Sequence, residues 1–434
     1  MTADGREWLR AVGVYARPRV IAIGFLGFAS GLPLLLTLST LSIWLAEEGV
    51  TKTAIGLFAL VGIPYSLKFL WAPLIDRLPV PLLTRALGRR RGWMILTQVL
   101  LMAALLGLGA TSPAEMPEVT AICALAVAFC SASQDIVIDA HRVEILEERE
   151  YGAGAAMIVF GYRCGLLVAG AGALYIASIT SWFWVYAAMA ALVLVGVATV
   201  LLSPEPEVSV RAAARRGSTG SLRGWLYEAV IAPFADFMQR RGWVAILAFV
   251  LLYKFGDALA GVMANPFYIE LGFTKVEIAN VSKLFGFAAT LLGGFAGGIL
   301  VNRWGIVPSL LVCGVLQLLS NLLFAVQAVV GHDIGMLMVT IGFENLSGGM
   351  GTAAFVAYLS SLCNVAYTAT QYALLSSLMA VARTVLASPG GWLAEQLSWV
   401  TFFALTAVAA VPGLLLLMWI TRRFPPPLAT AAAR

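Results

Sequence analysis

Residues 243–268 read WVAILAFVLLYKFGDALAGVMANPFY, a run of 26 residues whose only charges are Lys254 and Asp257. A helix crosses the hydrocarbon of a bilayer in about 20 apolar residues, so this run is long enough to span. Its two charges lie three positions apart and share one helix face. Charges at that depth are costly, and a chain keeps them only beside a partner or water. The stretch therefore predicts both a membrane helix and a polar site inside it.

Runs of the same kind extend in both directions. They fall at about 21–44, 54–75, 94–111, 118–140, 153–178 and 182–203 before it, and at about 276–300, 306–330, 334–362, 368–393 and 399–420 after it. Over the whole chain 60% of residues are hydrophobic and 12% charged, against about 25% charged in soluble domains. Each run is about twice the length of a barrel strand, and isolated strands would leave backbone groups unsatisfied in lipid. The expectation is an all-α membrane protein of about twelve transmembrane helices.

Basic residues fix its direction. The N-terminus and every second loop carry Arg17, Arg19, Arg77, Arg85, Arg89, Arg90, Arg91, Arg142, Arg149, Arg303, Arg422, Arg423 and their neighbours, whereas the opposite loops carry only Lys52 and Lys275. Both termini are then cytoplasmic and the span number is even. Ten of the 12 tryptophans, among them Trp44, Trp182, Trp184, Trp304 and Trp419, fall near span ends, where an aromatic belt is expected.

The longest loop divides the chain. Residues 1–203 form one six-helix bundle, 204–242 a cytoplasmic linker, 243–420 a second bundle, and 421–434 a disordered cytoplasmic tail. In the linker, 205–221 read as flexible, and Leu222, Trp225, Leu226, Ala229, Val230, Pro233, Phe234 and Phe237 line one face of a surface helix. Asp76–Arg77 after the second span and Asn302–Arg303 after the eighth, with Arg163 and Arg383 in the fifth and eleventh, mark a six-span internal repeat.

Five of the 28 basic residues remain inside spans: Lys68, Arg163, Lys254, Lys283 and Arg383. Unpaired, they would cost on the order of 10 kcal/mol at about 2.5–3.5 kcal/mol each. The acids available to them are Asp135, Asp139, Asp257 and Glu344. Lys68 and Asp135 sit at similar depth and can meet; Asp139 and Arg142 make an i,i+3 pair at the membrane edge. Candidate contacts for an anionic solute are Arg163, Lys254 and Lys283, with Tyr162 and Tyr253 beside them. Candidate proton carriers are Asp135, Asp257 and Glu344. Lys68, Asp76, Arg77, Asp139, Arg142 and Arg383 read as gating or structural ion pairs.

Other chemistries are excluded. The basic residues form no face with interleaved aromatics, so no nucleic-acid partner is expected. Five cysteines lie in or at the ends of apolar runs without metal spacing, and no cofactor or metal is implied. No lysine follows a glycine, which rules out a P-loop. The first apolar run is too long for a cleaved signal. A membrane transferase would need an acidic and histidine cluster at the surface, for which His141 with Glu144, Glu147 and Glu148 is the one candidate.

The chain also resembles the AmpG family of anhydromuropeptide permeases in the major facilitator superfamily. The resemblance is carried by Gly27–Pro33 (GFASGLP), Lys68–Trp71 with Pro73 and Asp76–Arg77, Gly88–Trp93, FCSASQDIVIDA from Phe129, and GAGAAMIVFGYRCG from Gly152. In the second half it is carried by LYKFGDALA from Leu252, FENLSGGMGTAAFVAYLSSLCN from Phe343 and TATQYALLSS from Thr368. It implies the major facilitator fold of two pseudo-symmetric bundles in a bacterial inner membrane, and a monomer within the lipid bilayer. It implies import of N-acetylglucosaminyl-anhydro-N-acetylmuramyl peptides with protons, for peptidoglycan recycling and the linked induction of β-lactamase. Gln134, Asn345 and Gln371 would then take the hydroxyls and amides of that ligand. Some members of the family carry further spans after the twelfth, which this sequence lacks. A neighbouring branch is similar to acetyl-CoA transporters, the nearest rival substrate.

Overall fold

Proline and glycine place the helix starts. Pro18 occupies the first turn of α1 (Pro18–Thr37), where its missing N–H costs nothing. The short helix α2 (Ala72–Arg77) also carries proline in its first turn, and it leads towards α3 (Arg89–Gly109). Gly88 opens α3 with φ +92 and ψ 173, a backbone geometry that side chains avoid. Proline then opens α4 (Pro117–Ile145), and α5 (Tyr151–Leu167) and α6 (Trp182–Leu192) follow. In the second half come α7 (Trp243–Leu252), α8 (Phe255–Glu270), α9 (Gly286–Trp304), α10 (Ile306–Val330), α11 (Ile334–Ser361), α12 (Thr368–Val381) and α13 (Trp399–Arg423). Gly305 stands before α10 with φ +84 and ψ 171, repeating the Gly88 turn after the Asn302–Arg303 pair. The internal repeat read from sequence thus has a backbone counterpart.

These elements belong to a computed structural model that describes residues 12–50, 57–207, 227–381 and 389–424. The described residues contain helices and no strand. Among the described residues nine helices are long and apolar enough to span, ten if the pair Ile334–Ser361 and Val365–Ala380, bent by 96°, counts as one more. All nine match expected spans one for one, the first, Pro18–Glu47, with an interruption at Leu38. The second expected span appears as short pieces, Leu60–Leu70 followed by α2. The eleventh runs into residues 382–388, outside the described set. Arg383, Lys52, part of the linker helix (222–226) and the tail from 425 also lie outside it.

The chain packs as two compact units. One comprises Val12–Pro233 together with Ser360–Ser377; the other is built on Phe234–Leu359 and Leu378–Arg434. Eighteen residues counted by sequence to the second bundle therefore fold on the first.

In the first unit α1 and α5 approach closely. A Cβ at Gly27 would strike the backbone oxygen of Ile158, one at Gly31 that of Tyr162, and one at Gly161 that of Gly24, while Gly165 faces Phe28 and Leu32. Glycines spaced by four let two backbones meet, the usual substitute for a hydrophobic drive between helices in lipid. α9 and α11 repeat the device in the second unit, with Gly293 against Leu346, Gly297 against Met350 and Gly349 against Thr290. Of the glycines that follow Glu344, Gly349 makes this contact and Gly351 lies against Gln317, whereas a Cβ at Gly348 would meet nothing within 4 Å.

Aromatic residues fill both cores. Trp44 is 2% exposed and stacks on Trp182 at 5.6 Å, with Tyr186 against both. Trp44 is therefore a packing residue and not part of a lipid-facing belt; Trp184, Trp304, Trp392 and Trp419 are exposed as a belt requires. Phe267, Phe324, Phe402 and Phe403 form the corresponding cluster of the second unit.

Candidate functional site

The opening stretch breaks where its charges are. α7 ends at Leu252 and α8 starts at Phe255, with Lys254 in a non-helical conformation between them. The freed side chain turns into a polar nest. Its Nζ donates to Asp257 Oδ2 at 3.2 Å, to Gln317 Oε1 at 2.9 Å and to the Gly348 carbonyl at 3.4 Å. An ammonium has three hydrogens, so its donor capacity is filled. Lys254 and Asp257 are each about a quarter exposed, whereas Gln317 is buried. Gln317 lies flat against α11 because residue 351 is glycine; a Cβ there would collide with the amide nitrogen. Tyr253, next in sequence, donates its hydroxyl to the Leu310 carbonyl at 2.9 Å and stacks its ring on Phe355. That buried hydroxyl is already spent on the fold.

One turn from Gly348 along α11 stands Glu344. Asn345 donates to Glu344 Oε2 at 2.6 Å and accepts from Thr290 Oγ1 at 2.7 Å. Glu344, Asn345 and the Gly348 carbonyl are thus within about one turn on the same helix. Lys283 stands in the helical turn Ala279–Phe285, and its side chain is not among those described.

In the first unit the polar residues follow α4. Asp135, Asp139 and Arg142 are spaced by four and three, on one face. Ser30 donates to Asp135 Oδ1 at 2.6 Å. Lys68 ion-pairs with Asp139 at 3.9 Å, which also receives Arg142 at 3.4 Å, and its charge reaches Asp135, at the similar depth read from sequence, as well. Gln134 is wholly buried, and its amide donates to the Ala29 carbonyl at 2.8 Å, tying α4 to α1. Arg163 on α5 is exposed and Tyr162 half-buried; the Tyr162 carbonyl is the surface against which Gly31 packs.

A second cluster holds the 360–377 segment. Asp76 is 1% exposed and accepts from four directions. Arg90 Nη2 reaches it at 2.8 Å, Thr370 N at 2.8 Å, Thr370 Oγ1 at 2.7 Å and Ala369 N at 3.3 Å. The carboxylate therefore caps the N-terminus of α12, where free N–H groups and the helix dipole favour negative charge. Burial pushes this carboxyl up, but Arg90 and Arg89 beside it more than compensate and hold it below its ordinary 3.8. Arg90 is also paired with Glu144, and Arg89 donates to the Asp76 carbonyl. Glu205 caps α3 through Arg90 N at 2.9 Å and Arg91 N at 3.0 Å. Arg77 closes the last turn of α2, where a cation suits the dipole.

Arg142 fastens the same segment from α4. It donates to Ser360 Oγ at 2.8 Å and lies over the Tyr372 ring at 5.0 Å. Gln371 is buried with both ends of its amide engaged, to the Pro233 carbonyl at 3.0 Å and from Asn364 N at 2.7 Å. In this arrangement it is a fastening of the segment and not a group offered to solute. Of the residues a transferase would need, Glu144 holds Arg90 and His141 is buried at 1% exposure.

Sequence reading missed Gln317, Thr290 and Ser30, and it counted Arg89 and Arg90 only as loop charge. An amide in the middle of an apolar span is the signal Gln317 offers, and it points to an intramembrane partner without naming it.

The profile of the Major Facilitator Superfamily matches residues 23–256 and 246–434. The anhydromuropeptide permease of Escherichia coli K12 is 42% identical over 407 residues, covering 93% of this chain and 80% of that protein. Among solved structures, the proton:xylose symporter XylE superposes with a TM-score of 0.68 at 14% identity, over 95% of this chain and 96% of its own. The human organic anion transporter MFSD10 superposes with a TM-score of 0.60 at 17% identity, over 94% and 99%. At those identities the two structures speak for the fold alone.

Proposed function

Since the chain belongs to the major facilitator superfamily and, within it, to the AmpG family of permeases, we propose that it imports anhydromuropeptides across a bacterial inner membrane by proton symport. That it is a multi-pass membrane transporter and not an enzyme follows from its relatives and fold. The finer reading rests on one observation: Lys254, a cation at a helix break inside an apolar span, is held by neutral acceptors and by one partly exposed carboxylate. A peptide carboxylate of the solute is the natural counter-ion for such a group.

In this reading Lys254 and Arg163 receive solute carboxylates, Lys283 adds charge, and Tyr162 and Asn345 serve hydroxyls and amides. Asp135, Asp257 and Glu344 are the proton carriers. The Asp76–Arg90–Glu144 cluster and Arg142 form a clamp on residues 360–377 that opens and closes the arginine-rich, cytoplasmic end, with Lys68, Asp139 and Arg77 supporting it. The carrier works as a monomer. Imported muropeptides feed peptidoglycan recycling and the linked induction of β-lactamase.

The test is uptake of labelled GlcNAc-anhydroMurNAc tripeptide into proteoliposomes under an inward proton gradient. Accumulation above equilibrium that collapses with a protonophore is expected. No uptake defeats the substrate; uptake indifferent to the gradient defeats coupling; displacement by acetyl-CoA but not by unlabelled muropeptide transfers the carrier to the rival solute.

A further inference from the structure

The Lys254 nest contains three acceptors that differ in freedom. The Gly348 oxygen is backbone. Gln317 is 3% exposed and wedged against Gly351, so its Oε1 is fixed. Its amide nitrogen is buried against Gly351, a placement that packing alone does not explain. Asp257 is the remaining acceptor, on a rotatable side chain one quarter exposed. All three ammonium hydrogens are in use, so an incoming anion binds Lys254 only by replacing one acceptor.

We propose that Gln317 is a positioning residue for transport: it anchors Lys254 from behind, so that a solute carboxylate displaces Asp257 and no other acceptor. The inference rests on the permease reading above. The displaced Asp257 then loses its cation within the membrane and takes up a proton from water, Asp257–COO⁻ becoming Asp257–COOH as the Lys254–carboxylate pair forms. Solute binding and proton uptake become one exchange, with charge conserved. The groups around Asp257 permit this. Its own element offers Lys254 and Tyr253. From α10 the facing titratable group is Cys313; α11 brings Glu344, one turn from Gly348. Helix Gly390–Gln396 carries Glu395, and the basic residues of α13 lie in its last turn.

The experiment measures solute binding by calorimetry in buffers of differing ionisation enthalpy, which counts protons taken up per ligand. Anhydromuropeptide tripeptide is compared with its carboxyl-amidated analogue, in wild type, Asp257→Asn, Gln317→Leu and Gln317→Asn. Wild type should take up about one proton per tripeptide and about none with the amidated analogue; Asp257→Asn should take up none. Gln317→Leu should raise the KM for tripeptide about tenfold, the worth of one charge-assisted hydrogen bond. It should also move the acid limb of uptake to lower pH, because Asp257 then becomes the one side-chain acceptor of the lysine, beside the Gly348 carbonyl. Gln317→Asn should recover part of both changes. A purely structural Gln317 would lower yield or kcat with KM and pH profile unchanged, which overturns the proposal. Equal proton uptake with the amidated analogue or with Asp257→Asn also overturns it. Wild type that binds no anhydromuropeptide defeats the permease reading itself, a distinct outcome.

Discussion

Replacing Asp76 by asparagine keeps the shape of the side chain and removes its charge. In the structure that charge receives two backbone N–H groups and one hydroxyl from Ala369 and Thr370, and one guanidinium bond from Arg90. Arg90 keeps Glu144 and is not orphaned. The loss falls on the α12 cap, where bonds to an ionised acceptor contribute about 1.5–3 kcal/mol each. Asparagine retains one carbonyl oxygen but turns an NH2 group towards a donor, so a net cost of about 2–4 kcal/mol follows. That is about thirty- to several-hundred-fold in the equilibrium for releasing the segment. Amide hydrogen exchange reads it directly, because the N–H groups of Ala369 and Thr370 are themselves the bonded donors. Their protection should drop by that factor in the Asp76→Asn protein while amides in the middle of α3 stay unchanged. Protection within about threefold of wild type at both residues would refute the assignment of Asp76 as the clamp.

Three further outcomes follow from the same geometry. With the Asp76 carboxyl held below 3.8, its stabilising contribution is fully present above that value and lost only as pH falls through the lowered one. Protection at Ala369 and Thr370, corrected for intrinsic exchange, should therefore be flat from about pH 5 to 8 and fall only in stronger acid. Gly161→Leu would drive a side chain into the backbone of Gly24, and overpacking costs about 1–3 kcal/mol or more; folded yield in detergent and the melting midpoint should both fall, while Gly107→Leu, which meets open space, should leave them near wild type. Asp135→Asn, Asp257→Asn and Glu344→Gln should each abolish or uncouple gradient-driven uptake at normal expression; if all three accumulate solute like wild type, the proton-carrier assignment is wrong.

Much of the architecture was legible because hydropathy is a one-dimensional signal. Spans such as 306–330 and 399–420 need only their own residues to be recognised, and Lys254 with Asp257 needs only helical spacing. The second span was harder to see as pieces, since nothing local in 54–75 marks the turns that interrupt it. Partners distant in sequence were not legible. Gln317 is 63 residues from Lys254, and Thr370 is 294 from Asp76. Lys68 had two acids one turn apart within reach, and helical spacing alone does not tell that the direct ion pair forms with Asp139, which Arg142 shares. Gly24, Gly27, Gly161 and Gly165 stand in the sequence as motif letters; their reason is the distance between two backbones.

The placement of residues 360–377 constrains how the chain can be recombined. Because this strap is encoded with one half yet fastened by Asp76 and Arg142 of the other and by the Pro233 carbonyl of the linker, the two halves do not diverge independently. A hybrid carrier cut at the central loop would inherit a foreign strap and a mismatched lock. Moving the strap along with the leading half, by a double crossover at its two ends, keeps key and lock from one parent.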